Sequence, residues 1–392
     1  MFEKFTGLEY LKMDIACKYD KAFEKEDWTD RLNHFDTLDL NDPSIFKAAS
    51  NPIGLRSAVK AYEDTLNGIP TGYMISLDAC SSGLQILSLL VSCPKSFSLC
   101  GGNSDHIIDS YTEIFMSMGL SDTITRKDCK AAIMTSLYGS VATPEKVFAN
   151  NIDVFYDTME EVAPGAWDLN IGLQELWEEI PGNTYSWVLS DNFHAYIETN
   201  KKEAVSFKVF EEEYELNVKL DERPNFHKGL GPNLIHSVDG MVIREMVRRC
   251  MFNPDLIAYV IGCLDETGAD GETKGMVSTL WNQYKETGFL SVRILDYLTE
   301  DTMGIVDPLV VAKMIQTLPD TPFDIVTVHD CFRIHPNYGN DVRLQYNHIM
   351  ADINDSTLLR SMASQVTGKS IKTKKVGNID RASILSANYM IA

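Results

Sequence analysis

The segment "MISLDACSSGLQILSLL" (residues 74–90) runs from an apolar, β-like stretch into Asp78, passes through small residues, and enters a second apolar stretch. Burying a carboxylate between hydrophobic segments costs several kcal/mol unless a cation meets it. "GYMISL" reads as a strand that delivers Asp78 at its tip, and "SGLQILSLLVSC", apolar nearly all round, reads as a buried helix. A second acidic tip lies far downstream. "PFDIVTVHDCFRIHP" (322–336) is two short β runs meeting at His329-Asp330 and bounded by Pro322 and Pro336, which predicts a hairpin. Taken singly, an Asp after a strand is most often a turn or cap residue. Taken together, two converging carboxylates would repel unless a divalent cation neutralised them, and Mg²⁺ prefers such oxygen ligands.

Outward from these tips the chain reads as mostly helical α+β. Residues 52–67 carry Pro in the first helical turn and Gly68 just past the end. Residues 105–119 place Ile107, Ile108, Tyr111, Ile114, Phe115 and Met118 at helical spacing, and 125–139 open with Thr125 and Asp128 in capping-box spacing and stop at Gly139. Residues 203–220 alternate apolar and polar around an acidic centre, which predicts a β-hairpin, and 233–252 form another helical stripe. On the helix at 125–139, Arg126, Lys130 and Tyr138 fall within about 80° of one face at 3.6 residues per turn. A cationic row ending in a phenol suits a triphosphate with its sugar by the tyrosine, and equally suits a solvated basic face with an inward-packing aromatic.

With 392 residues, 44% hydrophobic and 23% charged, the chain has the composition of a globular protein with room for two or three domains that interleave in one body. No run reaches the roughly 18 apolar residues a membrane helix needs, and the first residues resemble neither a signal nor a transit peptide, so a cytosolic setting is expected. Eight cysteines without a C-x-x-C pair argue against a zinc module and a disulfide framework. The net charge of −21 taken alone opposes non-specific binding to nucleic acid.

The order of motifs changes the weighting. Asp78 followed by "SSGLQ", then Arg126, Lys130, Met134, Tyr138 and Gly139, then His329-Asp330, resembles the three-motif pattern of the single-subunit RNA polymerases of bacteriophages and mitochondria. "GPNLIHSVDG" (231–240) resembles that family's A-P-N-x-x-H-S-x-D-G segment, and "ILSANYMIA" resembles its C-terminus. Family A DNA polymerases share part of the pattern, but they usually carry an acidic sugar gate after the first Asp and H-D-E in the third motif. Here the sequence reads Gly83-Leu84-Gln85 and His329-Asp330-Cys331, which favours ribonucleotides.

The resemblance implies a right-hand polymerase with a palm built on a small antiparallel sheet and helical fingers, lacking thumb and N-terminal domain. The divisions expected are palm at 1–94, fingers at 95–236 with the hairpin 203–220, and palm again at 237–392. It implies two Mg²⁺ ions on Asp78, Asp330 and the Ala79 carbonyl, phosphate contacts from Arg126 and Lys130, and Lys130 as proton donor to pyrophosphate. Tyr138 would read the ribose, with Gly139 beside it, His236 would touch nucleotides on the priming side, and Tyr111 is a looser match to a family tyrosine.

Members are usually more than twice this length and carry a D-x-x-G-R motif upstream of the segment that resembles residues 7–21. Its absence leaves a fragment or a naturally split enzyme, and the resemblance favours the larger, catalytic subunit of a split heterodimeric bacteriophage RNA polymerase. Such an enzyme works in the cytoplasm of the infected host with a smaller subunit, a DNA template, ribonucleoside triphosphates and an RNA product. The acidic centre "FEEEYE" of the 203–220 hairpin disfavours reading duplex promoters, so a single-stranded template or an accessory single-stranded DNA-binding factor is expected, and contact with the partner subunit is an equal alternative for the hairpin. A non-catalytic scaffold or regulatory subunit, and a DNA polymerase fragment, are the competing readings.

Overall fold

The computed structural model describes residues 1–392 as a mostly helical α+β protein with three small antiparallel sheets. The central sheet joins β1 (Ile75–Asp78) to a hairpin far away in sequence; four other strands intervene in the chain, β2 (Thr184–Val188), β3 (His194–Glu198), β4 (Lys201–Val209) and β5 (Glu212–Leu220). The hairpin is β6 (Ile325–Val328) and β7 (Cys331–Ile334), and the strand order is β1-β7-β6. Register pairs Ile75 with Ile334, Leu77 with Phe332 and Asp78 with Cys331. Because side chains alternate across a strand, Ile75, Leu77, Phe332 and Ile334 all point into the core, while Ser76, Asp78 and Arg333 face a cleft. Behind the sheet pack three helices, Ser82–Leu90, Leu230–Cys250 and Gly339–Asp355.

The last residues close the other edge of the sheet. Ala79 bridges Ile391, the Asp78 N–H donates to the Ala392 oxygen at 3.3 Å, and the Cys80 N–H donates to the Met390 carbonyl at 3.0 Å. Both neighbours of β1 therefore come from the C-terminal part of the chain. Pairing between such distant segments fixes Asp78 more firmly than a local turn would, since neither edge of its strand is free.

One principal core draws on Tyr10, Leu84, Ile133, Phe155, Leu230, Phe332 and Ile384, and so crosses the divisions expected at 94/95 and 236/237. A smaller core lies among the helices Pro254–Gly262, Lys274–Thr287 and Pro308–Ile315 and the 3₁₀ turn Val292–Asp296, around Val277, Leu280, Ile294 and Val311. A third gathers the helices Gly7–Tyr19, Trp28–Asp36 and Pro52–Leu66. No helix is long and apolar enough to cross a membrane, and all eight cysteines are free thiols.

Two expected helices are shorter than their patterns. The helix expected over 105–119 spans Ser110–Met118, because Asp109 takes an extended N-cap conformation and its side chain accepts from the Thr112 N–H. Ile107 packs against the core from irregular chain ahead of the helix instead, its N–H held by the Asp27 carboxylate at 2.7 Å. The helix expected over 125–139 spans Arg126–Ser136, capped by Thr125. Tyr138 therefore lies beyond its end, so the single helical face expected to carry Arg126, Lys130 and Tyr138 ends before the tyrosine.

Candidate nucleotide and metal site

Asp78 and Asp330 meet through backbone. The β6–β7 hairpin turns on His329, whose φ is +56°, and Asp330, and the Ala79 N–H donates to the Asp330 carbonyl at 3.2 Å. This bond ties the end of β1 to the hairpin tip. A non-glycine residue in the left-handed region costs about 1–2 kcal/mol, strain that the paired strands on either side sustain. After Asp78 the chain turns through Ser81, at φ +62°, directly into the helix Ser82–Leu90. Small side chains at 79–83 keep this turn close to the sheet.

Partial burial raises the pKa of Asp78, and the negative charge of Asp330 raises it further. A third carboxylate feels the charge of Asp330 as well. Asp239 stands one turn after His236 on the helix Leu230–Cys250, and its pKa is raised by burial and then by Asp330. The segment 231–240 alone assigns Asp239 no role. Its spacing from His236, three residues along a helix, was the available signal.

Asp78, Ala79, Tyr111 and Lys130 line a cleft of about 1200 Å³. The cleft wall carries six cationic side chains, Lys18, Lys21, Lys25, Arg31, Lys130 and Arg333, against the four carboxylates of Asp14, Glu24, Asp78 and Asp109. Its balance is thus opposite in sign to the −21 of the whole chain, and a local field of this kind governs which ions enter. Lys130 is exposed, with its ammonium 4.8 Å from the centre of the Tyr111 ring. Such a contact at an exposed site contributes about 0.5–1 kcal/mol towards holding the ammonium over the Tyr111 ring.

Beside the cleft, a cavity of about 130 Å³ is lined by Ser81, Gly83, Tyr111, Met134, Tyr138 and Asp330, among others. Tyr138 stacks on His236 at 4.7 Å between ring centres and 11° between planes. Burial, followed by the charge of Asp239, pushes the Tyr138 phenol up to about 12, so it stays a neutral hydrogen-bond donor at ordinary pH. A Cβ on Gly83 would stand 3.1 Å from the Tyr138 hydroxyl, so glycine there leaves the phenol its place. Gln85, by contrast, is fully buried and bonds Tyr346, Cys100 and Met390, so it faces the core and lines neither cavity.

Not every expected residue faces these cavities. Gly139 is buried, has φ +76°, and would press a Cβ to 3.2 Å from the Lys228 carbonyl, so it turns the chain behind Tyr138. His236 is exposed and reaches the site through its stacking on Tyr138. Arg126 is turned aside: its Nε donates to the Thr112 hydroxyl at 2.6 Å and its Nη2 is paired with Asp109.

The donor set suits a hard cation. Two carboxylates at a strand end and a hairpin tip repel each other in the absence of a positive charge, as the raised pKa of Asp78 records. The Ala79 carbonyl accepts from the Ser81 N–H at 2.9 Å and retains a second lone pair. No group of three or more His, Cys, Asp or Glu side chains gathers at metal-ligating distance, so a metal here would rest on few protein ligands, the pattern Mg²⁺ shows when phosphates and waters complete its shell. Neither a family model nor a curated protein sequence matches the chain.

Proposed function

We propose that the chain is the catalytic subunit of a DNA-directed RNA polymerase, transferring ribonucleotides to a growing RNA on a DNA template. The observation that carries this reading is the junction of Asp78 and Asp330 through the Ala79–Asp330 backbone bond, with Asp78 on the wall of the cation-lined cleft and Asp330 on that of the small cavity beside it. The resemblance of the surrounding motifs to single-subunit RNA polymerases supplies the reaction, and palm and fingers are the corresponding names for the central sheet and the helices around residues 110–136.

In this reading Asp78, Asp330 and the Ala79 carbonyl hold Mg²⁺. Two such ions would supply Lewis-acid activation of the RNA 3′-hydroxyl and neutralise charge on the triphosphate. Lys130 grips the phosphates from the cleft wall and gives a proton to the departing pyrophosphate. Arg126 adds a second cation from the same helix. Tyr138, neutral and held against His236, donates to the ribose and rejects deoxyribose, because a site built around a hydroxyl leaves a polar group unpaired when that hydroxyl is missing. His236 packs the nucleotide on the priming side, and Tyr111 walls the cleft beneath Lys130.

A smaller subunit supplies the thumb and the template-strand contacts, and a single-stranded template with an accessory DNA-binding factor replaces duplex promoter recognition. The test is extension of a primed single-stranded DNA template with ribonucleotides and Mg²⁺, with the co-purifying subunit added. The reading expects extension that Asp78→Asn abolishes and a Tyr138→Phe variant that takes up deoxynucleotides more readily. Extension unaffected by Asp78→Asn in a folded protein overturns it.

A further inference from the structure

Arg126 and Lys130 stand one helical turn apart, yet only Lys130 lines the cleft. The difference traces to Asp109. Its Oδ2 is shared by the Lys25 ammonium, the Arg126 guanidinium and, at 2.8 Å, the Thr112 hydroxyl. A carboxylate usually distributes its donors over two oxygens; here its other oxygen takes only the Thr112 N–H at 3.4 Å. Burial alone would raise the pKa of Asp109, but the hydrogen bonds from Lys25 and Thr112 and the charges of Lys25 and Arg126 hold it down at about 2. It is ionised at every pH at which the protein would work. Asp109 also caps the helix Ser110–Met118, which anchors the carboxylate at a fixed place on the cleft wall.

We propose that Asp109 is a latch for the phosphate-binding cations: it holds Arg126 off the cleft and shares Lys25, and an entering polyphosphate must draw both cations away from it. This rests on the reading of Arg126 as a phosphate contact. A single carboxylate matches one of the two cations, so the group keeps one unmatched positive charge. A polyphosphate with three or more negative charges outcompetes it, whereas a singly charged anion does not. Asp109 is thus a positioning residue that sets a threshold of ligand charge, favouring triphosphate over monophosphate.

The full-length chain is titrated calorimetrically with tripolyphosphate at low salt, in parallel with Asp109→Asn and Asp109→Ser. Both replacements keep an N-cap oxygen, so the helix retains its start. Removing the competing charge should tighten tripolyphosphate binding about fivefold, the size expected for a partly exposed ion pair. It should tighten inorganic monophosphate binding by a larger factor, narrowing the preference between the two. Adding Arg126→Ala to Asp109→Asn should remove the share of the gain that Arg126 carries and leave the share of Lys25, an interaction a merely structural role would not produce. Arg126-dependent binding that neither Asp109 variant tightens overturns the latch alone. Binding indifferent to Arg126 in every variant overturns the latch together with the phosphate role of Arg126.

Discussion

Two hairpins in this molecule have nearly the same local grammar and opposite fates. Both alternate apolar and polar residues, both close on two residues, and both carry acidic side chains at the turn. The β6–β7 hairpin lies against β1, and its Phe332 and Ile334 are 1% and 0% exposed. The β4–β5 hairpin pairs only with itself, and the cross-strand pairs Val205–Leu216 and Phe207–Tyr214 remain largely open to solvent. The difference lies in what each is attached to. β7 runs on into the buried helix Gly339–Asp355, while β5 runs into the polar stretch "DERPNFHK". Alternation specifies strands and their pairing, but burial of the apolar face depends on a helix elsewhere that has its own face to cover.

The acidic tips differ accordingly. Asp330 is fixed by the Ala79 N–H and placed beside Asp78, whereas Glu211, Glu212 and Glu213 stand in open water. Asp330→Asn should therefore lower ribonucleotide incorporation on the order of 10³-fold, the rate equivalent of several kcal/mol of lost charge stabilisation. Simultaneous change of Glu211, Glu212 and Glu213 to Gln should leave the single-nucleotide step on a preformed primer within about twofold, since their carboxylates touch nothing at the site. A steady-state extension assay measures both.

Phe332→Ala should destabilise the fold by about 3–5 kcal/mol, the cost of emptying a buried aromatic site, while Phe207→Ala on the free hairpin should cost no more than about 0.5 kcal/mol. Urea unfolding followed by circular dichroism reads the contrast. Equal losses would show that the apolar face of β4–β5 is covered.

A pH effect separates the two regions further. His348 lies in the helix beneath the β6–β7 hairpin, and burial, then the charges of Arg249 and Arg381, lower its pKa from 6.5 to about 4. The folded state thus holds it neutral, while the unfolded chain takes up the proton below 6.5. Stability from this group is complete above that value, falls as the pH drops from 6.5 towards about 4, and levels off below. The loss should be roughly 3 kcal/mol, and His348→Gln should flatten that limb of a stability profile measured by urea midpoints.

A local effect concerns the turn of the free hairpin. Phe210 and Glu211 both have positive φ, at +51° and +70°, where Asn-Gly is the favoured pair. Replacing them with Asn and Gly should stabilise the ribbon by about 1 kcal/mol, seen as slower amide exchange across β4 and β5.

Local chemistry made much of this legible. The strand ending at Asp78, the hairpin at His329-Asp330 and the helix opening at Thr125 all announce themselves through short-range signals, a tip, a two-residue turn and a cap. What the sequence concealed depends on distant partners. Ile107 and Ile108 keep helical spacing but lie ahead of the helix, because Asp109 caps it at Ser110 and Asp27, from elsewhere in the chain, holds the Ile107 N–H. Tyr138 continues the helical count past Ser136, where the helix ends. The β2–β3 hairpin went unread, since its turn is settled by Asp191, buried against Arg244 and Arg248 from another helix. Asp239 acquires its place only through the approach of Asp330, some 90 residues away in the sequence.

The proposed function makes the tip of β6–β7, together with Asp78, a divalent-cation site for nucleotidyl transfer and leaves the equally acidic tip of β4–β5 without one. Electron paramagnetic resonance of Mn²⁺ titrated into the full-length chain tests it most directly. The account predicts bound Mn²⁺ that disappears in Asp330→Asn and persists when Glu211, Glu212 and Glu213 are changed to Gln. Bound Mn²⁺ that survives Asp330→Asn and vanishes with the glutamates would contradict it.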